Sequence, residues 1–362
     1  MDLLLSEEQG MLRDSAATFT DRYGGPNRLR DLWDKNKKLD SGIWTKAAEA
    51  GWMAIVTPEI NGGLGLGLTE LCLIAEQMGK GLMPDPVTAV AAVARAVEER
   101  AEAIITGKCV VLPALMETTR CIGDETPGVT ATPAGDLVTL EGTKTGVAML
   151  CNAAQFLVSF SGTAGIGLAL VDANNVAITA AKTVDGTTTG SIRLNQSIAT
   201  VVAGPSEAPS RISALLDALH ISNAAELLGI MEAAQMITVE HLKTREQFDK
   251  PIGAFQALQH RAADNLAAIE LSRSLVYKAA AAIETGTGTP GLASAALSRC
   301  ATSALDVCKS AIQMHGGIGF TDEYDIGLYL KRAMTLATRY GTAGLHRKRY
   351  SEIALENGSP KD

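Results

Sequence analysis

Two stretches in the second half of the sequence combine residue types that suit a phosphorylated ligand. Residues 243–264, KTREQFDKPIGAFQALQHRAAD, contain Arg245, and a guanidinium is a planar fork that matches phosphate oxygens. Residues 313–332, QMHGGIGFTDEYDIGLYLKR, contain Gly316 and Gly317, whose missing side chains let backbone N–H groups approach a ligand. The structural alternatives are an exposed helix end and a helix C-cap followed by a loop. Both stretches together, in this order, favour a ligand site.

The two stretches resemble the acyl-CoA dehydrogenase family. In that family the first block has an Arg, a polar residue two positions on, a Phe and a Phe-Gln pair, and the second block has Gln-x-x-Gly-Gly. They hold the pyrophosphate and adenine end of an FAD whose isoalloxazine ring lies mainly in a neighbouring subunit. The resemblance implies FAD as cofactor and an acyl-CoA as substrate. It assigns cofactor binding to Arg245, Gln247, Phe248, Phe255, Gln256, Gln313, His315, Gly316, Gly317 and Thr342, with His315 in a loop near phosphate.

The periodicity of the sequence predicts an α+β fold that is mainly helical. We predict a helical domain over residues 1–107, a β-barrel or sandwich over residues 108–205 and a four-helix bundle over residues 206–362. Ser6 is predicted to be the N-cap of the first helix. In the bundle we predict helices over 209–221, 223–247, 255–286 and 290–314, with a break at Ser222 and Asn223. The same domain order is typical of the resembled family. Two such C-terminal bundles are expected to pack together.

Composition narrows the class of protein. The 362 residues carry a net charge of −8 with scattered Lys and Arg, which argues against a nucleic-acid partner. The six cysteines show neither CxxC pairs nor metal-ligand spacing, so we expect no metal and reduced, mostly buried thiols in a cytoplasmic protein. Acidic residues precede any long apolar run, and no 18 consecutive residues are apolar, so we predict neither a signal peptide nor a membrane span.

The β region departs from the resembled family at two flavin-contacting segments. Residues 117–123, ETTRCIG, stand where the family usually has a Glu-Pro-Gly-Ala-Gly-Ser-Asp-like loop. Residues 146–152, GVAMLCN, stand where it has a Trp-Ile-Thr-Asn-like strand. Because small residues let backbone N–H groups reach a flavin ring, the branched side chains of ETTRCIG are a poor substitute.

The catalytic base is also missing. The family's reaction removes an α-proton from a thioester while the flavin accepts the β-hydride, so it needs a positioned carboxylate. The resemblance places that carboxylate either after the Gly-Gly motif, where this chain has Tyr340, or nine residues before Arg245, where it has Met236. Neither is a carboxylate, so no catalytic residue is expected. Glu232 and Glu240, one helical turn from Met236, are candidate substitutes but are more typical of solvated helix positions.

These observations together predict a non-catalytic subunit. The chain resembles the partner subunit of heteromeric bacterial acyl-CoA dehydrogenases that act on steroid CoA thioesters, which are α2β2 assemblies with the catalytic Glu on the other subunit. Two alternatives remain: a homomeric flavoenzyme whose base is Tyr340 or a helix glutamate, and a flavin-free scaffold of the same fold. No Ser-His-Asp, His-Glu-x-x-His or P-loop pattern supports a hydrolase or kinase. The acyl group is not readable from the sequence.

Overall fold

The first helix begins where the sequence supplies an N-cap. In this computed structural model, which describes residues 5–35, 39–135 and 137–358, the Ser6 hydroxyl accepts a hydrogen bond from the Gln9 backbone N–H at 3.2 Å. The Gln9 side chain in turn accepts one from the Ser6 N–H at 3.0 Å. This reciprocal capping box satisfies two N–H groups that a helix start leaves free. The predicted cap of α1, Glu7–Tyr23, is confirmed.

Helices fill the first third and the last two fifths of the chain. After α1 follow α2 Pro26–Lys35, α3 Ser41–Glu49, α4 Leu68–Lys80, α5 Val87–Val97 and the short α6 Glu102–Ile105. The C-terminal helices are α7 Ala208–Thr244, α8 Gln256–Glu284, α9 Leu292–His315, α10 Ile326–Leu336 and α11 Ala343–Gly358. α4 is buried along almost its whole length because it packs between α1 and α7. The N-terminal helices therefore share a continuous core with the C-terminal bundle.

The middle of the chain is a β region whose strands close into a ring. Its strands are β1 Val111–Ala114, β2 Thr130–Ala134, β3 Leu137–Ala148, β4 Gln155–Gly162, β5 Gly165–Asp172, β6 Ala177–Lys182 and β7 Thr188–Ala203. β4, β5, β7, β3 and β2 pair in that order, and β2 returns to β4 through Thr130 and Ser161. β1 pairs with β4 in parallel, and β6 extends the ring from β7. The predicted fold class, helical, then β, then helical, is confirmed.

α7 corrects the predicted break at Ser222 and Asn223. The helix runs without interruption from Ala208 to Thr244. The Ser222 hydroxyl donates back to the Ala218 carbonyl oxygen at 2.7 Å, and the Asn223 side-chain amide donates to the Leu336 carbonyl oxygen at 2.9 Å. The Ser222 hydroxyl and the Asn223 NH₂ group thus find acceptors without breaking the helix, although the Asn223 Oδ1 has no partner among the described residues.

α7 is the central element of the bundle. By length and composition it could cross a membrane, but 89% of its most apolar stretch is buried inside the protein, as in the core helix of a globular bundle. Its 37 residues span about 55 Å at 1.5 Å per residue. All six cysteines are free, as expected of reduced thiols, but only Cys72, Cys300 and Cys308 are buried, so the expectation of mostly buried thiols holds for half of them.

Candidate functional site

The predicted diphosphate residue Arg245 lies directly after the end of α7, at the base of a small hairpin. β8, Glu246–Gln247, pairs with β9, Lys250–Pro251, and the turn consists of Phe248 and Asp249. Both turn residues have positive φ, +54° and +61°, which is unusual for side-chain-bearing residues and typical of a tight hairpin. The Phe248 ring is 85% exposed and meets the Phe255 ring edge-to-face at 6.0 Å. The hairpin thus presents an aromatic pair to the outside.

A stacked histidine pair joins this hairpin to the glycine motif. His241, in the last turn of α7, stacks on His315, the last residue of α9, with ring centroids 4.4 Å apart. His315 is buried, and its Nδ1 donates to the Ala311 carbonyl oxygen at 2.8 Å. Burial lowers the pKa of both rings, so both are neutral near pH 7. The expectation that His315 lies in a loop is therefore wrong: His315 is the last residue of α9, lies under the motif and holds the two helix ends together, whereas its place near a phosphate stays a prediction.

The backbone after His315 is open to solvent. Gly316 has φ +65°, a conformation that favours glycine, and a Cβ on it or on Gly317 would meet nothing within 4 Å. Within the described part of the chain, no ion pair engages the exposed Arg245. We call this face the clamp surface. It comprises Arg245, Gln247, Phe248, Phe255, Gln256, Gln313, Gly316 and Gly317, of which only Phe255 is partly buried.

The predicted flavin-loop segments meet elsewhere, around a pocket that is almost filled. It is lined by Pro113, Leu115, Met116, Ile122, Thr145, Gly146, Leu216, Leu219 and Tyr340, which we call the closed pocket. Its volume is about 10 Å³, which is at the lower limit of the space that one water molecule needs. Thr342 lies two residues beyond Tyr340, so it belongs to this region and not to the clamp surface. The structure therefore divides the predicted cofactor residues into two groups.

The two groups lie far apart along α7, one about a third of the way from its start and the other at its end. His220 faces Tyr340, with ring centroids 6.2 Å apart, whereas Thr244 leads directly into Arg245. The 24 helical positions between His220 and Thr244 span about 36 Å.

This geometry corrects the placement of Met236. It lies 16 positions beyond His220, about 24 Å along α7, and its side chain is 61% exposed. The two alternative base positions of the family must both lie within reach of the same substrate carbon. Met236 and Tyr340 are too far apart along α7 to meet this condition. The α7 residues that line the closed pocket beside Tyr340 are Leu216 and Leu219. The position nine residues before Arg245 therefore lies too close to the C-terminal end of α7 to be the second base position.

The titratable groups beside the closed pocket are held neutral. Burial raises the pKa of the Tyr340 phenol, so it does not ionise near pH 7. His220 is fully buried, both of its ring nitrogens lack a hydrogen-bond partner among the described residues, and burial lowers its pKa well below 6.5. His346 meets it edge-to-face at 4.7 Å. His346 Nε2 donates to the Tyr340 carbonyl oxygen at 2.9 Å, and burial lowers its pKa to about 4.

The two helix glutamates are not poised as bases. Glu232 pairs with Lys80 at 2.7 Å and with Arg273 at 2.6 Å. Burial alone would raise the pKa of Glu232, but these two cations lower it overall, the opposite of what a general base near pH 7 requires. Glu240 is exposed and pairs with Lys243 at 2.7 Å. Neither lies beside Tyr340.

A buried ionic network fixes the loop that carries Tyr340. Arg332 on α10 is 1% exposed and pairs with Asp185 in the β6–β7 turn at 2.8 Å and with Glu226 on α7 at 2.5 Å. Glu226 also pairs with Arg339, the neighbour of Tyr340, at 3.4 Å. Arg332 therefore joins the β region to the central helix, and Glu226 joins the central helix to this loop through Arg339. Sequence reasoning missed the network because its members lie far apart in the chain.

The described residues contain no group of three or more His, Cys, Asp or Glu arranged to hold a metal ion.

Comparison with known proteins agrees with the fold and with the two motifs. Residues 6–99 match the family "Acyl-CoA dehydrogenase, N-terminal domain" and residues 210–355 match "Acyl-CoA dehydrogenase, C-terminal domain". The chain belongs to the acyl-CoA dehydrogenase family, whose members are oxidoreductases that act on acyl-CoA thioesters.

Among the similar proteins, the name of one refers to a steroid and the name of another to a complex. The chain is 29% identical to acyl-CoA dehydrogenase IpdE2 of Mycolicibacterium smegmatis, over 91% of this chain and 93% of that protein. It resembles the solved structure of the Tcur3481-Tcur3483 steroid ACAD, with 31% identity, a TM-score of 0.89 and coverage of 98% of this chain and 99% of that one. It also resembles the ChsE4-ChsE5 complex of Mycobacterium tuberculosis, with 26% identity, a TM-score of 0.85 and coverage of 99% and 100%.

An FAD fits one of the two regions. The clamp surface offers an exposed guanidinium, open glycine N–H groups and two aromatic rings, which suit a diphosphate and an adenine. The closed pocket does not fit an isoalloxazine ring, because the side chains of Ile122 and Met116 occupy the space beside the Gly341 and Gly146 backbones.

Proposed function

We propose that this chain is the non-catalytic subunit of a heteromeric, FAD-dependent acyl-CoA dehydrogenase and that it supplies FAD-binding residues to a partner subunit. The observation that carries the proposal is the division of the predicted cofactor residues. The clamp surface faces outward at one end of α7, while the pocket about 36 Å away along the helix is filled by side chains. This chain has a surface that suits the diphosphate and adenine of FAD but no space for the isoalloxazine ring. Such a surface suits an FAD whose ring lies in another subunit.

Five residues of the clamp surface and the histidine pair beneath it have a task in this proposal. Arg245 binds the diphosphate oxygens through paired N–H donors, and the Gly316 and Gly317 N–H groups approach the same anion. Phe248 and Phe255 offer faces against which the adenine packs. His241 and His315 hold the hairpin and the glycine turn in register. When bound, FAD accepts a hydride from the β-carbon of the acyl-CoA.

The base for the α-proton belongs to the partner. Tyr340 keeps its proton near pH 7, and its neighbours on α7 are two leucines and His220, whose pKa burial lowers well below 6.5. The pKa of Glu232 is also lowered. These observations count against a homomeric enzyme that uses one of these groups. The partner is then a second acyl-CoA dehydrogenase chain that carries a Glu at the base position, in an α2β2 assembly.

The substrate class follows from similarity alone. The names of two similar structures refer to a steroid ACAD and to a two-chain complex. We therefore extend the proposal to a CoA thioester with a steroid-derived acyl group, handled in the cytoplasm, where six free cysteines are stable.

Flavin content tests this proposal. The chain is produced alone and with candidate partners, which are acyl-CoA dehydrogenase chains from the same organism that carry a Glu at the base position, and the absorption spectrum of each purified sample is recorded. We expect a colourless chain alone and a yellow, active complex with the partner. A yellow, active homotetramer would support the homomeric alternative, and a chain that takes up no flavin with any partner would support the scaffold.

A further inference from the structure

The closed pocket is filled chiefly by the side chains of Ile122 and Met116. Ile122 is 5% exposed, and its Cγ2 would lie only 2.5 Å from a Cβ built on Gly341, which has φ +107°. Met116 Cε lies 3.3 Å from the place of a Cβ on Gly146. The space that these two glycines leave open beside the backbone is therefore taken by side chains of the same chain.

The loop that carries Ile122 is tied down by its own side chains. The Glu125 carboxylate accepts hydrogen bonds from the backbone N–H groups of Ile122 and Gly123, at 3.2 and 3.1 Å. Asp124 pairs with Arg349 of α11 at 2.6 Å. The Ile122 side chain is thus held against the Tyr340 loop from both its own backbone and the neighbouring helix.

A buried ion pair fastens the start of the loop. The Lys144 ammonium on β3 is fully buried and donates to Glu117 Oε1 at 2.7 Å, to the Leu115 carbonyl oxygen at 3.1 Å and to Ser159 Oγ at 3.0 Å, which uses all three of its protons. Burial lowers the pKa of Lys144. The pKa of Glu117, which burial alone would raise, is lowered overall by the hydrogen bond from Lys144.

The Glu117 carboxylate also closes the far end of the loop. Its Oε2 accepts from the Gly128 N–H at 2.8 Å and its Oε1 from the Val129 N–H at 3.0 Å. One carboxylate therefore joins the start of the loop, the ammonium beneath it and the two residues that precede β2. Moving the loop would leave Lys144 buried without its counter-ion, which is strongly unfavourable.

We infer that residues 116–125 form a plug that takes the place of a flavin ring in this chain, and that the Lys144–Glu117 ion pair holds the plug closed. The inference rests on the proposed function, since a ring is expected here only in this family. The plug explains how the subunit keeps a stable fold around a site that holds no cofactor: Ile122 and Met116 supply the apolar contacts that would otherwise be lost to a cavity.

Lumiflavin, which has the isoalloxazine ring but no phosphate, tests the plug on the full chain without any partner. We compare the wild type with the triple variant Glu117→Ala/Lys144→Met/Ile122→Ala, which removes both charges of the ion pair and the Ile122 side chain that fills the pocket. The control is Glu141→Ala/Ile178→Ala, which makes similar truncations at exposed residues of the same β region. We expect no quenching of lumiflavin fluorescence by the wild type or the control, and at least about tenfold tighter binding by the triple variant.

Two results would overturn the inference. One is binding of one lumiflavin per wild-type chain, and the other is a folded triple variant that binds no better than the control. If the triple variant does not fold, amide hydrogen exchange of the wild type tests whether the ion pair holds the loop in place. The Gly128 and Val129 amides should exchange as slowly as the amides of β3, and fast exchange would show that the ion pair does not lock the loop. Neither failure would affect the clamp surface, which is tested separately by FAD retention in the assembled complex.

Discussion

His241 and His315 stack at 4.4 Å and so couple the end of α7, where Arg245 lies, to the end of α9, where the glycine motif begins. The two motifs are about 70 residues apart in the sequence, and this contact joins them at the ends of two helices that also pack against each other.

Removing this contact should weaken FAD binding without unfolding the chain. We expect His315→Ala to lower the FAD affinity of the assembled complex by roughly two- to tenfold, because an aromatic pair contributes about 0.5–1.5 kcal/mol. His315→Phe, which keeps a ring to stack on His241, should lose less. His260→Ala, an exposed histidine on α8, is the control. Fluorescence titration with FAD measures the effect, and equal losses in all three variants would refute the coupling.

Arg245→Ala should weaken FAD retention and leave the fold intact. The guanidinium is exposed and makes no ion pair within the described residues, so its removal costs no structural contact. Loss of a charge-assisted hydrogen bond typically costs about 1.5–3 kcal/mol, or roughly one to two decades in affinity. Lys243→Ala removes a neighbouring exposed cation and is the matched control. Wild-type FAD content of the Arg245 variant after dilution would show that the cross-subunit role is wrong.

Arg332→Met should destabilise the protein strongly. The substitution leaves the buried Asp185 and Glu226 carboxylates without their shared counter-ion, which typically costs about 3–5 kcal/mol. Urea unfolding followed by circular dichroism measures the change, with Arg193→Met, at an exposed position of β7, as the control. A loss below about 1 kcal/mol would mean that the network is not a structural centre.

Acid should destabilise the chain through His220 and His346. Both have folded-state pKa values below 6.5, with His346 at about 4, so the unfolded chain binds more protons as the pH falls below 6.5. Stability is then fully present above about pH 6.5 and declines toward about pH 4, by on the order of 3 kcal/mol for His346 alone. Urea unfolding at about pH 7.5 and about pH 5 measures this slope, which His220→Phe should reduce. An unchanged slope in that variant would exclude His220 as a cause of it.

Tyr340→Phe should leave the activity of the complex almost unchanged. If the chemistry takes place on the partner, the phenol has no proton to transfer, and burial keeps it protonated in any case. A phenolate base would instead lose about 10²–10⁴-fold in rate on this substitution. Steady-state kinetics of the reconstituted complex distinguish the two results.

The sequence predicted correctly those features that depend on residues close together in the chain. Ser6 predicted its cap because all partners lie within one turn. Ser222 and Asn223 misled because a tertiary acceptor, the Leu336 carbonyl, satisfies the amide inside the helix. Met236 was misplaced because motif counting along a helix does not say which end of it faces a site.

The plug was beyond reach of the sequence for a different reason. Lys144 and Glu117 are 27 residues apart, and their pairing depends on how β3 lies beneath the loop. The sequence shows that residues 117–123 differ from the usual flavin loop. It does not show which side chains fill the flavin-ring site, because that depends on how residues 116–125, β3 and the Tyr340 loop pack together.

The FAD count of the purified complex tests the central claim most directly. FAD released by denaturation is quantified by absorbance, and the chains are quantified by amino-acid analysis. The account predicts one FAD for every two polypeptides, held between this chain's clamp surface and the partner. One FAD per polypeptide would contradict it, because this chain would then hold a flavin ring of its own.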